Sequence, residues 1–503
     1  MLPILQRASR VMQRWMGSSP TRTATPAYNS TGTGHAVAGW NPGDTAINAL
    51  IAGGGDSLRR QSRDMARRNA WARNAIDSYV ANSVGAGIIP QPKHPDPKVK
   101  EQLQQLWLRW TDEADASGLT DFYGLQALAC RTSIEAGECF ARKRPRLASD
   151  GLTVPLQIQL LEPEYLPLTD VSGGGGKVPA GNQVRWGIEF DKIGRRAAYH
   201  FYREHPCETP LFFGGLQQTR VPADSVMHLF KPLRPGQHRG ETWMAPVLLA
   251  LHELEKYDRA TLVKQAISTM VVFFESDQSG EMGTPAFGRD DESDSSGMPL
   301  QGLQPGAYVQ VPHGRTVDHS KPPDVGTMYV DFMRVQLRKI AAGLGLTYEQ
   351  LTGDLTGVNY SSIRAGLLEF RRRCEAFQHQ VMVFQFCRPV WRAWIEAAAL
   401  AGVIDARDYA KNPAYYLDVE WQPQAWDWVD PLKDAEAEIL LIDNLLKSRS
   451  QAIKGMGYDA ESVDRMIAED QAREDKAKLR RGGKPAASPT REANQKEQFG
   501  GTQ

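Results

Sequence analysis

The chain has 503 residues, with 59 basic and 59 acidic side chains and a formal net charge of zero. That length is too great for one hydrophobic core, so about two to four domains are expected. The charge balance argues against a tight, sequence-independent nucleic-acid clamp, which needs a basic excess to neutralise phosphates, but not against a surface that a nucleic acid slides past. Five cysteines (Cys130, Cys139, Cys207, Cys374, Cys387) stand at no metal-ligand spacing. Odd in number, they predict mostly buried thiols in a reducing compartment. No run of about 18 apolar residues is present to span a membrane.

Residues 1–43 contain no Asp or Glu. Ile4, Leu5, Ala8, Val11, Met12, Trp15 and Met16 make one helical face, with Arg7, Arg10 and Arg14 opposite. The pattern is that of a membrane-surface or targeting helix, or of an arm that docks on a partner protein. A Ser/Thr/Gly-rich linker follows from Gly17 to Gly34.

Residues 56–84 read as one helix crowded with arginine (Arg59, Arg60, Arg63, Arg67, Arg68, Arg73) and stopped by Gly85 and Gly87. Such a helix can touch phosphate, but its usual role is a face paired with acids elsewhere in the chain. Two further helices are expected at about 96–113 and at Phe122 to Ala136. The β-like runs Glu138–Arg144, Leu156–Leu161, Val184–Phe190, Ala197–Arg203 and Val226–Phe230, separated by Gly or Pro turns, predict an α+β domain with a small antiparallel sheet.

Pro246 then opens a helix whose buried side is Val247, Leu251, Leu254, Tyr257, Thr261 and Leu262, running to about Met270. Glu275 to Asp294 holds seven acids against the single base Arg289, which reads as a solvated, flexible run without Ca²⁺-loop spacing. Tyr308–Val311 reads as a strand. A second helix, Met328 to Leu344, carries Phe332, Met333, Leu337, Ile340 and Leu344 on one side and Arg334, Arg338 and Lys339 elsewhere.

Leu346 to Gly402 is a Gly-punctuated loop feeding one very long helix. Gly353 and Gly357 allow tight turns, and Asn359, Ser361 and Ser362 supply capping oxygens. Ile363, Leu367, Phe370, Cys374, Phe377, Val381, Phe384, Trp391 and Ile395 then recur at steps of three and four, interrupted only at Arg388. About 40 helical residues would span about 60 Å. Pro389 predicts a kink near Gln385. Trp421–Asp470 reads as mostly helical, with Pro431 near a helix start, and 471–503 as polar and disordered.

Catalytic motifs fail on inspection. His252-Glu253 begins a zinc-protease pattern, but Lys256 stands where the second His is required. Gly176-Lys177 ends like a phosphate loop, yet Val171 and Val178 replace its leading Gly and its hydroxyl. Gly85 and Gly87 lack the third Gly of a dinucleotide fingerprint, and no Gly-x-Ser-x-Gly elbow occurs. No metal site or cofactor site is predicted. A hydrolase or nuclease assembled from distant residues stays as an alternative, as does a membrane-surface role for the N-terminal helix.

Several motifs occur in a set order: Asn74-Ala-Ile-Asp77 with Val84-Gly-Ala-Gly-Ile88, Arg234-Pro-Gly-Gln-His-Arg-Gly240, Ile340-Ala-Ala-Gly-Leu-Gly-Leu346, Gly353-Asp354 with Asn359-Tyr-Ser-Ser362, and Trp428-Val-Asp-Pro431 with Gly457-Tyr-Asp459. Over roughly residues 60–470 this succession resembles the lambda-type family of tailed-phage portal proteins. The run at 276–299 and both termini depart from the family pattern.

The resemblance implies a ring of about twelve copies, a closed homo-oligomer of heterologous contacts, at one capsid vertex of the virion. Double-stranded DNA would be packaged and ejected through its channel. The other partners implied are the terminase large subunit, a head–tail adaptor, and the major capsid and scaffolding proteins, assembled in the host bacterial cytoplasm, with no membrane, no cofactor and no enzymatic activity.

The fold it implies is α+β, a portal-like ring subunit built in parts. These are a flexible arm (1–55), an α/β wing (56–245), stem helices (246–270 and 328–345), a small β-containing clip (271–327), a tunnel loop (346–360), a long kinked wing/tunnel helix (361–402), a helical crown (403–470) and a disordered tail (471–503). The residues implied at the constriction are Asp354, Leu355, Thr356, Gly357 and Val358. The stem bases Arg334, Arg338 and Lys339 would either contact DNA or form intersubunit salt bridges.

Overall fold

The computed structural model describes residues 43–168, 178–208, 217–268, 273–277, 315–319, 328–357, 359–426 and 430–477. The N-terminal amphipathic face, the Gly173–Gly176 turn, most of the acidic run, the Tyr308–Val311 strand, Val358, Trp428 and the tail after 477 lie outside the described residues. The chain divides into units Met1–Leu50 and Ile51–Gln503, and the description below concerns the second, apart from residues 47–50 at the start of the first helix.

The expected helix over 56–84 is two helices, α1 (Ile47–Arg68) and α2 (Ala70–Ser83). Asn69 breaks them: its backbone is extended and its side chain accepts the Ala72 N–H at 3.0 Å, so it caps α2 instead of continuing α1. The arginines are largely spent inside the chain. Arg59 pairs with Asp56 and Glu138, Arg63 with Glu162 and Glu164, and Arg68 with Asp64 and Glu255.

Strand β1 (Ile89–Pro92) precedes α3 (Pro97–Thr111) and α4 (Phe122–Glu135), which Asp96 and Asp121 cap. The strands that follow are β2 (Glu138–Pro145), β3 (Leu156–Leu161), β4 (Gln183–Arg185), β5 (Ile188–Phe190), β6 (Arg196–Tyr202), β7 (Gln218–Pro222) and β8 (Val226–Phe230). They form two antiparallel sheets where one was expected, ordered β3-β2-β8 and β4-β5-β6-β7. Val184–Phe190, expected as one strand, is a hairpin. Trp186 (φ 51°) and Gly187 (φ 76°) both take left-handed backbone, as a two-residue reverse turn needs. Strand β7 escaped notice because Gln-Thr-Arg interrupts any apolar alternation.

Helix α5 (Leu248–Ser268) leads to the antiparallel pair β9 (Phe273–Asp277) and β10 (Arg315–His319), and then to α6 (Met328–Leu344), with the ends expected for it. The one-turn helix α7 (Tyr348–Thr352) opens the Gly-rich loop.

The long element is continuous from Tyr360 to Leu400, but in three windings: α8 (Tyr360–Phe377), a π-helical segment (Gln378–Cys387) and α9 (Arg388–Leu400). The π segment sits where Pro389 predicted a kink. The Arg388 N–H bonds to Val383 O, five residues back, so the wider turn ends just before Pro389, which has no N–H to donate. It also shifts the apolar phase. Phe384, expected in the seam, is 61% exposed, while Val383, Phe386 and Val390 are buried.

Beyond lie α10 (Ala406–Lys411), α11 (Pro413–Leu417), β11 (Val419–Gln422) paired with β1, α12 (Pro431–Asp443), α13 (Arg449–Gly455) and α14 (Ala460–Ala477). The core is aromatic. Trp107 touches Trp110, Phe122, Trp391 and Trp394 with ring centroids about 5 Å apart, joining α3, α4 and α9. Four of the five thiols are buried and Cys207 is exposed.

Candidate functional site

The loop between α6 and α8 is built by local hydrogen bonds before any tertiary contact. Thr347 and Gln350 form a reciprocal capping box at the start of α7: Thr347 Oγ1 accepts the Gln350 N–H (3.2 Å), and Gln350 Oε1 accepts the Thr347 N–H (3.1 Å). Gly353 ends α7 at φ 73°, and Gly357 closes the loop at φ 75° with open space around it. Between them, Asp354 Oδ1 accepts the Thr356 N–H (3.0 Å) and hydroxyl (2.5 Å), and Oδ2 accepts the Tyr348 hydroxyl (3.1 Å). Asn359 then caps α8 by accepting the Ser362 N–H at 2.9 Å.

These bonds hold the Asp354 carboxyl below the ordinary aspartate range. The Thr356 hydroxyl contributes most, then its N–H, with Tyr348 and the Arg334 charge adding to them. The Arg338 guanidinium lies over the Tyr348 ring, 5.5 Å from its centroid. The structure thus gathers Asp354, Thr356, Arg334 and Arg338 around Tyr348. Lys339 is exposed on α6 and pairs with none of the described residues. Leu355 is 65% exposed, and Thr356 and Gly357 are exposed beside it.

Two residues to which the sequence reading gave no role at the loop hold its root. Asn74 Nδ2 donates to Gln350 O (2.8 Å) and Leu351 O (2.9 Å), and the Tyr79 hydroxyl donates to Leu344 O (2.8 Å). Asn74 opens the Asn-Ala-Ile-Asp motif, so a signal was present, but only the fold shows its partner 276 residues away.

The Arg-Pro-Gly-Gln-His-Arg-Gly motif is structural. Buried Arg239 donates through Nε (2.9 Å) and Nη2 (2.6 Å) to buried Glu138, which also accepts the Gly240 N–H (2.8 Å), the His228 Nε2–H (2.9 Å) and Arg59 (3.3 Å). Burial alone would raise the Glu138 carboxyl. The Arg239 charge and the His228 bond outweigh it and hold the group well below the carboxylate range. Burial takes His228 down to about 4.

A second enclosed carboxylate, Glu189, accepts from Arg220 (2.7 Å), Asn182 (2.6 Å) and His200 (3.2 Å). Both Glu138 and Glu189 are wholly buried, so neither faces a space that a substrate can enter. Glu162, Glu164 and His205 lie close enough to share a cation, but the Arg63 guanidinium already bonds both carboxylates, at 3.3 and 2.8 Å.

The family described as "Phage portal protein, lambda family" matches residues 33–378. The chain belongs to that family. This portal chain is 27% identical over 425 residues to the probable portal protein of Halomonas phage phiHAP-1, covering 82% of this chain and 80% of the relative. It is 21% identical over 487 residues to portal protein B of Escherichia phage lambda, covering 86% of each. Among solved structures, a chain of the neck of the native GTA particle, computed with C12 symmetry, aligns over 80% of the portal chain and 93% of its own length, at 14% identity and a TM-score of 0.42. The loop geometry described above lies within the portion of the portal chain matched to the family.

Proposed function

We propose that this portal chain closes into a ring of about twelve copies at one capsid vertex. Double-stranded DNA passes through the ring, and the 346–360 loop borders the channel. In this reading 56–245 is the wing, 246–270 and 328–345 the stem, 271–327 the clip that meets terminase and later the head–tail adaptor, 361–402 the long wing/tunnel helix, and 403–470 the crown inside the head. Assembly takes place in the host cytoplasm, with the capsid and scaffolding proteins.

The observation that carries the reading is the state of charge at the loop. Asp354 is turned onto Thr356 and Tyr348, Arg334 lies near it, and Arg338 is stacked on Tyr348, so the tip offers Leu355, Thr356 and Gly357 to its surroundings. Each protein cation that contacts phosphate steepens salt-dependent affinity, so a border with its charges engaged lets DNA slide where a basic one would brake it.

Substituting Gly357→Phe tests this. Among the described residues a side chain there meets open space, and the left-handed backbone (φ 75°) costs a Phe about 1–2 kcal/mol confined to the loop. The ring is therefore expected to assemble, seen end-on by electron microscopy, while DNA packaged or retained per head falls several-fold. Wild-type packaging through intact Gly357→Phe rings would remove the loop from the channel.

A further inference from the structure

Helix α7 is five residues long, too short to persist on its own backbone bonds, and its last carbonyls need partners from elsewhere. Each has one. Tyr348 O accepts the Thr352 hydroxyl (2.8 Å) and Glu349 O accepts the Gly353 N–H (2.7 Å), both local. Gln350 O and Leu351 O accept the two amide hydrogens of Asn74, at 2.8 and 2.9 Å, from α2. Five residues further along α2, Tyr79 bonds the terminal carbonyl of α6. One helix therefore grips both sides of the joint from which the loop projects. That helix is well anchored: Ala72, Ala75, Ile76 and Tyr79 are buried in the main core, and Asn69 caps its start.

We propose that Asn74 is the positioning residue of the 353–357 tip, fixing its place relative to α2 and hence to the body of the subunit. The inference rests on the reading of this loop as the channel border, and it adds the part that holds the border in place. The start of α7 is held differently, by Arg338 over the Tyr348 ring, and the Tyr348 hydroxyl on Asp354 steadies the tip. The two supports are thus separable. Asn74 governs the α7 carbonyls, whereas Tyr348 governs the Asp354 turn.

The test uses assembled full-length rings and amide hydrogen exchange. Asn74→Asp keeps the shape but sets oxygens against two carbonyl oxygens. The amides of Leu351 and Gly353, which close α7, are then expected to exchange about tenfold faster, with α4 unchanged. Asn74→Ala, which only removes the donors, is expected to give a smaller rise at the same two amides, and it serves if the Asp variant does not assemble. Tyr348→Phe is expected to speed Thr356 and leave Leu351 and Gly353 as in wild type.

Unchanged exchange at Leu351 and Gly353 in both Asn74 variants overturns the proposal, whatever the packaging result. Faster exchange together with reduced DNA per head supports it. Faster exchange with wild-type packaging supports the positioning role while overturning the channel reading, so the two failures are told apart.

Discussion

Glu138 shows how a residue that reads only as the start of a strand can prove to be the point where several elements are tied. Its carboxylate takes bonds from Arg239, His228, Arg59 and the Gly240 N–H, and so ties α1, β2, β8 and the 234–240 turn at one point. A buried charge of this kind is costly to leave half-paired, and removing one partner typically costs about 3–5 kcal/mol. The cluster also gives the subunit a pH dependence.

His228 titrates near 4 when folded and near 6.5 when unfolded, because burial disfavours its charged form. Between those values the unfolded chain binds the extra proton, so stability falls as pH falls. The loss from this group between pH 7 and 5 is about 2 kcal/mol. The lowered Glu138 carboxyl has the same sign, its contribution being lost further into acid. Thermal melts from pH 7 to 5 should show this slope, and His228→Gln should flatten it. An equal slope in that variant would assign the acid sensitivity elsewhere.

At the scale of elements, close approach decides where the two long hairpin-like helices meet. A Cβ on Gly343 of α6 would stand 2.4 Å from Val247 Cγ1 at the start of α5. Val247 is buried and β-branched, so it cannot swing away. Gly343→Ala should therefore destabilise the fold by about 1–3 kcal/mol despite its better helix propensity, the usual cost of overpacking. Val247→Ala in the same chain should recover most of that loss. Denaturant midpoints of the single and double variants measure it, and additive losses would mean that the two side chains do not compete for the same space.

The π segment belongs to this scale as well. Its Gln385 side chain bonds both the N–H (2.9 Å) and the O (3.1 Å) of Phe230, so the rewound helix is sewn to the edge of β8.

For the whole molecule, what the single chain leaves uncovered is informative. Leu249, Leu262 and Val263 on α5, Val330, Phe332 and Val335 on α6, and Leu432, Ile439 and Leu440 on α12 are all exposed. Leu262 and Phe332 were expected on apolar faces, and the described residues do not bury them. The ring proposed above would supply the missing partner, because a heterologous contact sets one face of a subunit against a different face of the next. Leu440→Glu combined with Leu262→Glu should leave helix content and monomer folding unchanged while shifting the mass distribution from rings to monomers. Intact rings of the double variant would place both faces outside the subunit contact.

The order of elements was legible in the sequence because local physics writes it there. Met328–Leu344, Leu156–Leu161 and Val226–Phe230 have the expected ends, and Asn359, Gly353 and Gly357 do the capping and turning expected of them. The Asp354–Thr356 turn was not drawn from the sequence, although an Asp two residues before a Thr is a local signal for it. What needed the tertiary structure were the events that join distant residues or change a helical period. These are the break at Asn69, the π winding that turns Phe384 outward, the second sheet, and the grip of Asn74 on carbonyls far along the chain. Periodicity reports which face of a segment is apolar. It carries no information about which of those faces meet, and the root of the loop is decided by that meeting.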